Sequence, residues 1–391
     1  MKILQIISHY VPAYGFGGPL QVAHSLAKAL VDRGHTVTVC CTSQMNQQED
    51  MDIPLDTPQN VDGVEVYYEP IALSRKWGYS PAMRRRLPKL LEQVDAVIIH
   101  NHFQYAGWVG AQSARRAGKP YVTFAHASLK RDSLAASNGL IKRLYLRLME
   151  HGNLTQANHI AFNASEELKD SLYSENGIVL PNGISLDDFN ELPERGAYRA
   201  KHPKLAGRTV FLTLGRIDIR QKAVDLIIEA FALFVKEHPN ALLVLAGSSE
   251  GEDLKIVKEL IRERGIEDWV FFPGLVKGQD KLELLRDADV FLMPSRYEGL
   301  SIALLEGMAS GLPVILSDRA GLHTKVAAEE CGLIVQPSVE SILLALGQMM
   351  DEAARSQYGE SARRVVLSEH TWGAIAEKME TILESCQTET L

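Results

Sequence analysis

Two acidic residues separated by a short polar loop carry the most specific chemistry in this sequence. Glu298 lies in the run Ser295 to Ser301, and Glu306 follows eight positions later on a face otherwise filled by Ala, Leu and Met. A pair of acids invites glycoside hydrolysis, which needs its carboxyls about 5 Å apart for retention or roughly 6.5 to 9.5 Å for inversion. Eight residues of helix, at about 1.5 Å each, would hold these two roughly 12 Å apart. That spacing suits the two ends of one elongated ligand. The amides of Gly299, Leu300 and Ser301 would lie between them, where a helix amino terminus favours a phosphate. A sugar nucleotide, with hexose, diphosphate and ribose in line, has that layout. The plainer alternative is a solvated Glu298 and a Glu306 that holds nothing.

Cations occupy a comparable place further upstream. The stretch from Thr209 reads as a strand, Val210 to Leu214, a loop, and a helix starting near Lys222 with Val224, Ile227, Ile228, Phe231 and Phe234 on its inner face. Arg216 and Lys222 flank that loop, one a planar fork and one a point charge, which matches a diphosphate or else a solvated loop with no ligand. Histidines also follow apolar strands: His9, then His100 and His102, then His126. No Asp, Glu or Cys joins them at ligand spacing, so no metal is expected. Gly15, Gly17 and Gly18 resemble half of a dinucleotide fingerprint, but Leu20 replaces the third glycine and no acid ends the next strand, so no NAD site is expected. Asp287 and Asp289 form an aspartate pair at the amino end of a strand, away from the ligand side, and read as a solvated turn.

These residues need strands to present them. Lys2 to Ile7 is a buried strand. The loop His9 to Pro19, a helix through Leu20, Ala23, Leu26, Ala27 and Leu30 stopped by Gly34, and a strand His35 to Cys41 complete a βαβ start. Val64 to Tyr67 reads as an edge strand; Asp95 to Ile99, Tyr121 to Phe124, His159 to Phe162 and Ile178 to Leu180 extend the sheet. Leu186 to Lys204, with Pro193, Gly196, Pro203 and mixed charges, has linker composition. A second series then runs from Thr209, with strands at Leu242 to Ala246, Trp269 to Phe272, Val290 to Met293 and Val314 to Leu316. The pattern predicts an α/β protein of two doubly wound domains facing across a ligand cleft. Residues 1–190, completed by a C-terminal helix at about 371–388, form the first, and residues 191–370 the second.

At 391 residues the chain is long enough for two domains, and its 46% apolar and 23% charged content is that of an ordinary globular protein. A formal charge of -8 argues against a general nucleic-acid binder. Cys40, Cys41, Cys331 and Cys386 show no metal-ligand spacing, and no stretch reads as a secretory or membrane-spanning segment, so a cytoplasmic protein is expected. Two basic stretches interrupt the acidic balance. Trp77 to Val94 carries Arg84, Arg85, Arg86 and Lys89 beside aromatic and apolar residues, and Leu129 to Met149 carries Lys142, Arg143 and Arg147. Each is an ordinary surface helix or a peripheral contact with an anionic membrane inner face.

Glu298, seven intervening residues and Glu306, followed by GMASGLPVI, resemble the donor-site signature of family 4 glycosyltransferases of the GT-B fold. LPNGIS at Leu180 to Ser185 and TFAHASLK around His126 extend the resemblance over nearly the whole chain. It implies that Glu298 and His126 touch the donor hexose, that Glu306 holds the ribose, and that Gly274, Leu275 and Val276 hold the base through backbone groups. It also implies that Gly17 and Gly18 let their loop approach the donor phosphate or the acceptor. Arg216, Lys222 and the amides of Gly299, Leu300 and Ser301 would hold the diphosphate, and His126, Glu298, Arg216 and Lys222 would form the catalytic set. The activity expected is retaining transfer of a hexosyl residue from a nucleoside diphosphate sugar, UDP being the expected nucleotide, to an acceptor hydroxyl. The acceptor would be a saccharide or a lipid-linked saccharide of polysaccharide or glycolipid biosynthesis, and no cofactor is expected. A sugar-nucleotide epimerase of the same fold and a non-catalytic nucleotide-sugar binder are the alternatives. Two positions depart from the family pattern: Ala223 stands where a glycine follows the lysine, and Thr324 where a glutamate is usual.

Overall fold

The computed structural model describes residues 1–126, 128–129, 143–248 and 252–388. Its chain divides into Met1–Asn182 with Trp372–Leu391 and, between them, Gly183–Thr371.

The first unit is an eight-stranded sheet in the order β3-β4-β2-β1-β5-β6-β7-β8. Its strands are β1 (Lys2–Ile6), β2 (Thr36–Thr42), β3 (Gln59–Val61), β4 (Val64–Glu69), β5 (Ala96–His100), β6 (Tyr121–Phe124), β7 (His159–Phe162) and β8 (Gly177–Val179). All neighbours are parallel except the β3–β4 pair. The central strands read as unbroken apolar runs because both faces are covered. In β1, Ile3 faces one apolar cluster while Leu4 and Ile6 face the other. β4 is not the edge strand its sequence suggested. β3, built from the end of a polar loop, pairs with it and takes the edge. The helix Trp372–Thr388 packs along Gly18–Asp32 and contributes Ile375, Ala376, Met379, Leu383 and Cys386 to the first cluster, and Glu380 bonds Arg33 and His35.

The helix Pro81–Leu91 is capped by Ser80, whose hydroxyl accepts from Met83 N at 3.2 Å. Only Arg84, Arg85 and Lys89 of its basic row are exposed; Arg86 turns inward to the buried Glu69 and lies 4.7 Å from the centre of the Tyr67 ring. Trp77 and Tyr79 pack against Tyr105 instead of decorating an outer face. Of the second basic stretch, residues 130–142, including Lys142, lie outside the described residues. Among the described residues no helix is long and apolar enough to cross a membrane.

The second unit is a wholly parallel six-stranded sheet, β11-β10-β9-β12-β13-β14. Its strands are β9 (Thr209–Leu214), β10 (Ala241–Ala246), β11 (Val270–Gly274), β12 (Val290–Met293), β13 (Val314–Ser317) and β14 (Gly332–Val335). Alternation along β9 sends Val210 and Leu212 into one core and Phe211 into the other. The stretch of linker composition is not a linker. Phe189 and Tyr198 within it are buried at 2% exposure, and the segment is tied down by the aspartates expected to form a solvated turn. Asp287, fully buried, accepts from the backbone N–H groups of Gly196 and Arg199, and Asp289 accepts from Arg195, Arg199 at 2.8 Å and Val210 N at 2.8 Å. Composition could not show this, because those partners lie about ninety residues away.

Candidate functional site

Parallel strands deliver their ligand residues at carboxyl ends, and a crevice opens where successive crossovers turn to opposite sides of the sheet. In the second unit that switch lies between β9 and β12, which are neighbours although β10 and β11 intervene in sequence. The segment after β9, a loop and the short helix Ile219–Lys222, carries Arg216, Gln221 and Lys222, and the loop after β12 carries Arg296 and Glu298. They meet there. Lys222 Nζ donates to Glu298 Oε2, Gln221 Nε2 lies 3.4 Å from the same oxygen, and Arg216 donates to Gln221 Oε1 at 3.0 Å. Both members of the central pair are withdrawn from water, Lys222 at 14% and Glu298 at 13% side-chain exposure, whereas Arg216 at 62% extends from the loop. Two further contacts fix the loops. Arg296 forms a two-pronged ion pair with Asp225 at 2.8 and 2.7 Å, and Glu298 N donates to Arg319 O at 3.2 Å in a bridge beside Ala320.

That bridge corrects the spacing inferred from sequence. Helix begins only at Ile302, so four of the eight steps from Glu298 to Glu306 are loop, and the 1.5 Å rise does not apply to them. Leu300 is buried in the core beneath the loop, while Gly299 faces open space. Ser301 caps the helix Ile302–Ala309 without a side-chain bond to its amides. Those first-turn N–H groups give the site the partial positive charge that suits a phosphate. Glu306 sits apart from the first pair and accepts from Lys281 Nζ at 2.6 Å. Gly274 ends β11, and its carbonyl accepts from Gly247 N at 2.8 Å; Leu275 is 60% exposed and Val276 is half-buried. Sequence reasoning missed Gln221, Arg296, Asp225 and Lys281. Arg296 stands two residues before Glu298, a proximity that could have flagged it.

Ala223 adopts φ +57°, the left-handed conformation that glycine takes without strain. Left-handed alanine costs roughly 1 to 2 kcal/mol. Replacing it with glycine relieves that strain but frees the unfolded chain by about 0.4 to 1 kcal/mol and uncovers a buried methyl worth about 0.8 kcal/mol. These terms nearly cancel, so Ala223→Gly should leave the urea midpoint almost unchanged; a large shift either way would show that the loop is held by something else.

The first unit has a pocket of about 620 Å³ on the corresponding edge of its own sheet, where β1 and β5 are neighbours. His9, Phe16, Trp77, His102, Phe103 and His126 line it. His9 stacks on Phe16, centroids 3.5 Å apart, and its Nε2 lies 3.2 Å from Gln44 Oε1. Asn101, Phe103 and His126 all have positive φ, at +69°, +63° and +44°, a concentration of backbone strain of the kind found at ligand sites. The close approach of Gly107 to this loop explains its identity, since a Cβ there would lie 2.1 Å from Asn101 O. His100 does not line the pocket. It is fully buried behind it, with Nδ1 3.0 Å from His126 Nε2, and either shared-proton arrangement leaves Nδ1 of His126 for a ligand. Gly17, at φ +92°, caps the helix that Gly18 opens, with open space around both. Among the described residues no group of three or more His, Cys, Asp or Glu could hold a metal ion.

Burial keeps these imidazoles neutral. It lowers His126 to about 3, helped by the neighbouring His102, and His9 to about 4 against the pull of Gln44, and it lowers His100 as well. The unfolded chain takes up protons on these rings below about pH 6.5, while the folded chain resists until far lower. Protonation therefore favours unfolding. The contribution is complete above pH 6.5 and falls as the pH drops towards 4. Urea midpoints measured from pH 7.5 to 5 should decline, and a flat profile would count against neutral buried rings.

Two doubly wound α/β units, each with its polar residues at the switch of a parallel sheet, define the GT-B class of glycosyltransferase architecture. HepE of Anabaena, solved in complex with UDP, superimposes with a TM-score of 0.77 over 98% of this chain and 100% of that one at 18% identity, a likeness of fold. Residues 16–188 match the profile of Glycosyltransferase Family 4 and residues 194–365 that of Glycosyl transferases group 1, and the chain belongs to this family. An uncharacterized glycosyltransferase of Methanocaldococcus jannaschii is 27% identical across 97% of this chain and 96% of its own length. The phosphatidyl-myo-inositol mannosyltransferase of Mycobacterium leprae is 25% identical over 79% of each.

Proposed function

We propose that this glycosyltransferase moves a hexosyl residue from a nucleoside diphosphate sugar, with UDP as the nucleotide, to an acceptor hydroxyl with retention of anomeric configuration. The observation that carries the reading is the meeting of Lys222 and Glu298 at the switch of the second sheet, beside the amino end of Ile302–Ala309, whose cap residue makes no side-chain bond to its amides. Cations and helix amides there stabilise a departing diphosphate by preorganised charge, while Glu298 orients hexose hydroxyls. Glu306 and Lys281 take the ribose, and the backbone from Gly274 to Val276 takes the base. The pocket of the first unit receives the acceptor, a saccharide or lipid-linked saccharide that can lie on Phe16, Phe103 and Trp77. With no residue placed as a protein nucleophile, the leaving phosphate oxygen accepts the acceptor's proton on the face it vacates, which retains the anomer.

The test is acceptor-dependent release of nucleoside diphosphate from UDP-, GDP- and ADP-sugars, with NMR of the first-formed product. Release without acceptor, or an inverted anomer, overturns the reading. In the same assay His126→Ala should lower kcat by about 100-fold, the usual cost of losing one positioned donor, and leave nucleotide affinity nearly intact. Turnover close to wild type would remove His126 and direct attention to His9 and His102.

A further inference from the structure

The second unit has a second cavity, of about 500 Å³, on the opposite edge of its sheet, where β12 and β13 begin. Asp289 and Pro313, which precede those strands, lie in its wall, and the chemistry of the proposed donor site is at the strands' other ends. Four arginines line it: Arg195, Arg286, Arg355 and Arg363.

These four cations are not equivalent. Arg195 is committed to Asp289, and Arg355 donates to the carbonyls of Met349 and Met350 at 2.7 and 2.9 Å. Arg363 donates to Ala309 O, closing the carboxyl end of the helix that carries Glu306, and to Phe189 O at 2.8 Å. Among the described residues it forms no ion pair with a carboxylate. Arg286 differs again: its Nε is buried without a hydrogen-bond partner, and among the described residues its guanidinium forms no ion pair. Arg286 also lies close enough to depress Arg363, whose burial is the larger cause of that shift. Two guanidinium groups facing one cavity, neither paired with a carboxylate among the described residues, form an unfinished arrangement, since a buried donor left unmade is expensive and like charges repel. Of the three acids in the wall, Asp289 is held by Arg195 and Arg199, and Glu352 and Glu360 are exposed.

We propose that this cavity is a binding site for a phosphorylated sugar, with the phosphoryl group held by Arg286 and Arg363 and the sugar hydroxyls facing Ser356 and Glu360. An arginine fork presents parallel donors to phosphoryl oxygens, and a volume of about 500 Å³ is in the range of small-molecule sites and larger than a bare anion needs. The exposed carboxylates accept from hydroxyls and disfavour a ligand that is anionic throughout.

The probes are glucose 6-phosphate, inorganic phosphate and glucose, titrated by calorimetry into the full chain and into Arg286→Gln and Lys222→Ala. Glucose 6-phosphate should bind saturably and more tightly than inorganic phosphate, and glucose should not bind. Arg286→Gln should weaken glucose 6-phosphate at least about tenfold, as loss of a charged hydrogen bond does, and leave UDP affinity unchanged. Lys222→Ala should leave glucose 6-phosphate binding intact. Loss of sugar-phosphate binding in Lys222→Ala alone would place the ligand in the donor site and overturn the proposal, as would equal affinity of Arg286→Gln and wild type or the absence of saturable binding. None of these results bears on whether the donor site works as a transferase.

Discussion

Lys222→Ala should bind nucleoside diphosphate about 10 to 150 times more weakly, the equivalent of roughly 1.5 to 3 kcal/mol for a lost charged hydrogen bond. The structure adds a reason for the upper part of that range. Lys222 is the cation bonded to Glu298, and both side chains are largely shielded from water. Removing the ammonium deletes the proposed phosphate ligand and, among the described residues, leaves the carboxylate with the longer contact to Gln221, facing the incoming diphosphate. The second effect can be measured separately. If it contributes, adding Glu298→Gln to Lys222→Ala should recover part of the affinity, because the neutral amide no longer repels the ligand. Calorimetry with UDP, GDP and ADP on the wild type, both single variants and the double variant provides the cycle. Affinity for all three nucleotides that is unchanged in Lys222→Ala would take this residue out of the site.

The largest effect on stability should come from Gly247→Ala, a change of one methyl. Gly247 follows β10 at φ +151°, and a Cβ built there would lie 1.7 Å from Gly215 O and 2.6 Å from its carbonyl carbon. Both obstacles are backbone, so no side chain can swing aside. The two glycines are tied into their strand ends by Gly215 N to Ala246 O at 2.9 Å and Gly247 N to Gly274 O at 2.8 Å. Relief would require moving the loop that carries Arg216 or the one that begins at Gly274. Overpacking and a backbone conformation reserved for glycine each cost roughly 1 to 3 kcal/mol, so the variant should lose about 3 kcal/mol or more by urea unfolding. Gly347→Ala, in a helix with nothing within 4 Å of the new methyl, is the matched control and should be neutral or slightly stabilising. Equal stability of the two variants would mean that the backbone at Gly247 has room to yield.

Much of this architecture was legible because parallel strands buried on both faces read as short apolar runs and their ligand loops as the polar breaks that follow. Tyr121–Phe124 and His159–Phe162 could be bounded to the residue for that reason. Glu298, Arg216 and Lys222 could be singled out because charge is conspicuous beside such runs. Less legible were features whose cause lies far away along the chain. Nothing near Asp287 announces that Gly196 and Arg199 will donate to it, and nothing in the VEVYYE stretch of β4 shows that three residues of a polar loop will cover its edge. The position of His100 was hidden for the same reason. In sequence it is one more strand-ending histidine, and only the pairing of β5 with β6 places it behind His126.

The two points at which the chain passes between units lie side by side: Ile184 N donates to His370 O at 2.8 Å, and Ile184 bridges Thr371. The second unit is therefore an insertion within the first, and this has a consequence during synthesis. Everything from Gly183 to Thr371 has been translated before the helix Trp372–Thr388 appears, and that helix supplies five residues to a core cluster of the first unit. The usual order, in which the amino-terminal unit folds first, is then reversed for the final step. The second unit can finish while the first still waits on the ribosome with the apolar face along Gly18–Asp32 uncovered, a surface exposed until the last helix is made.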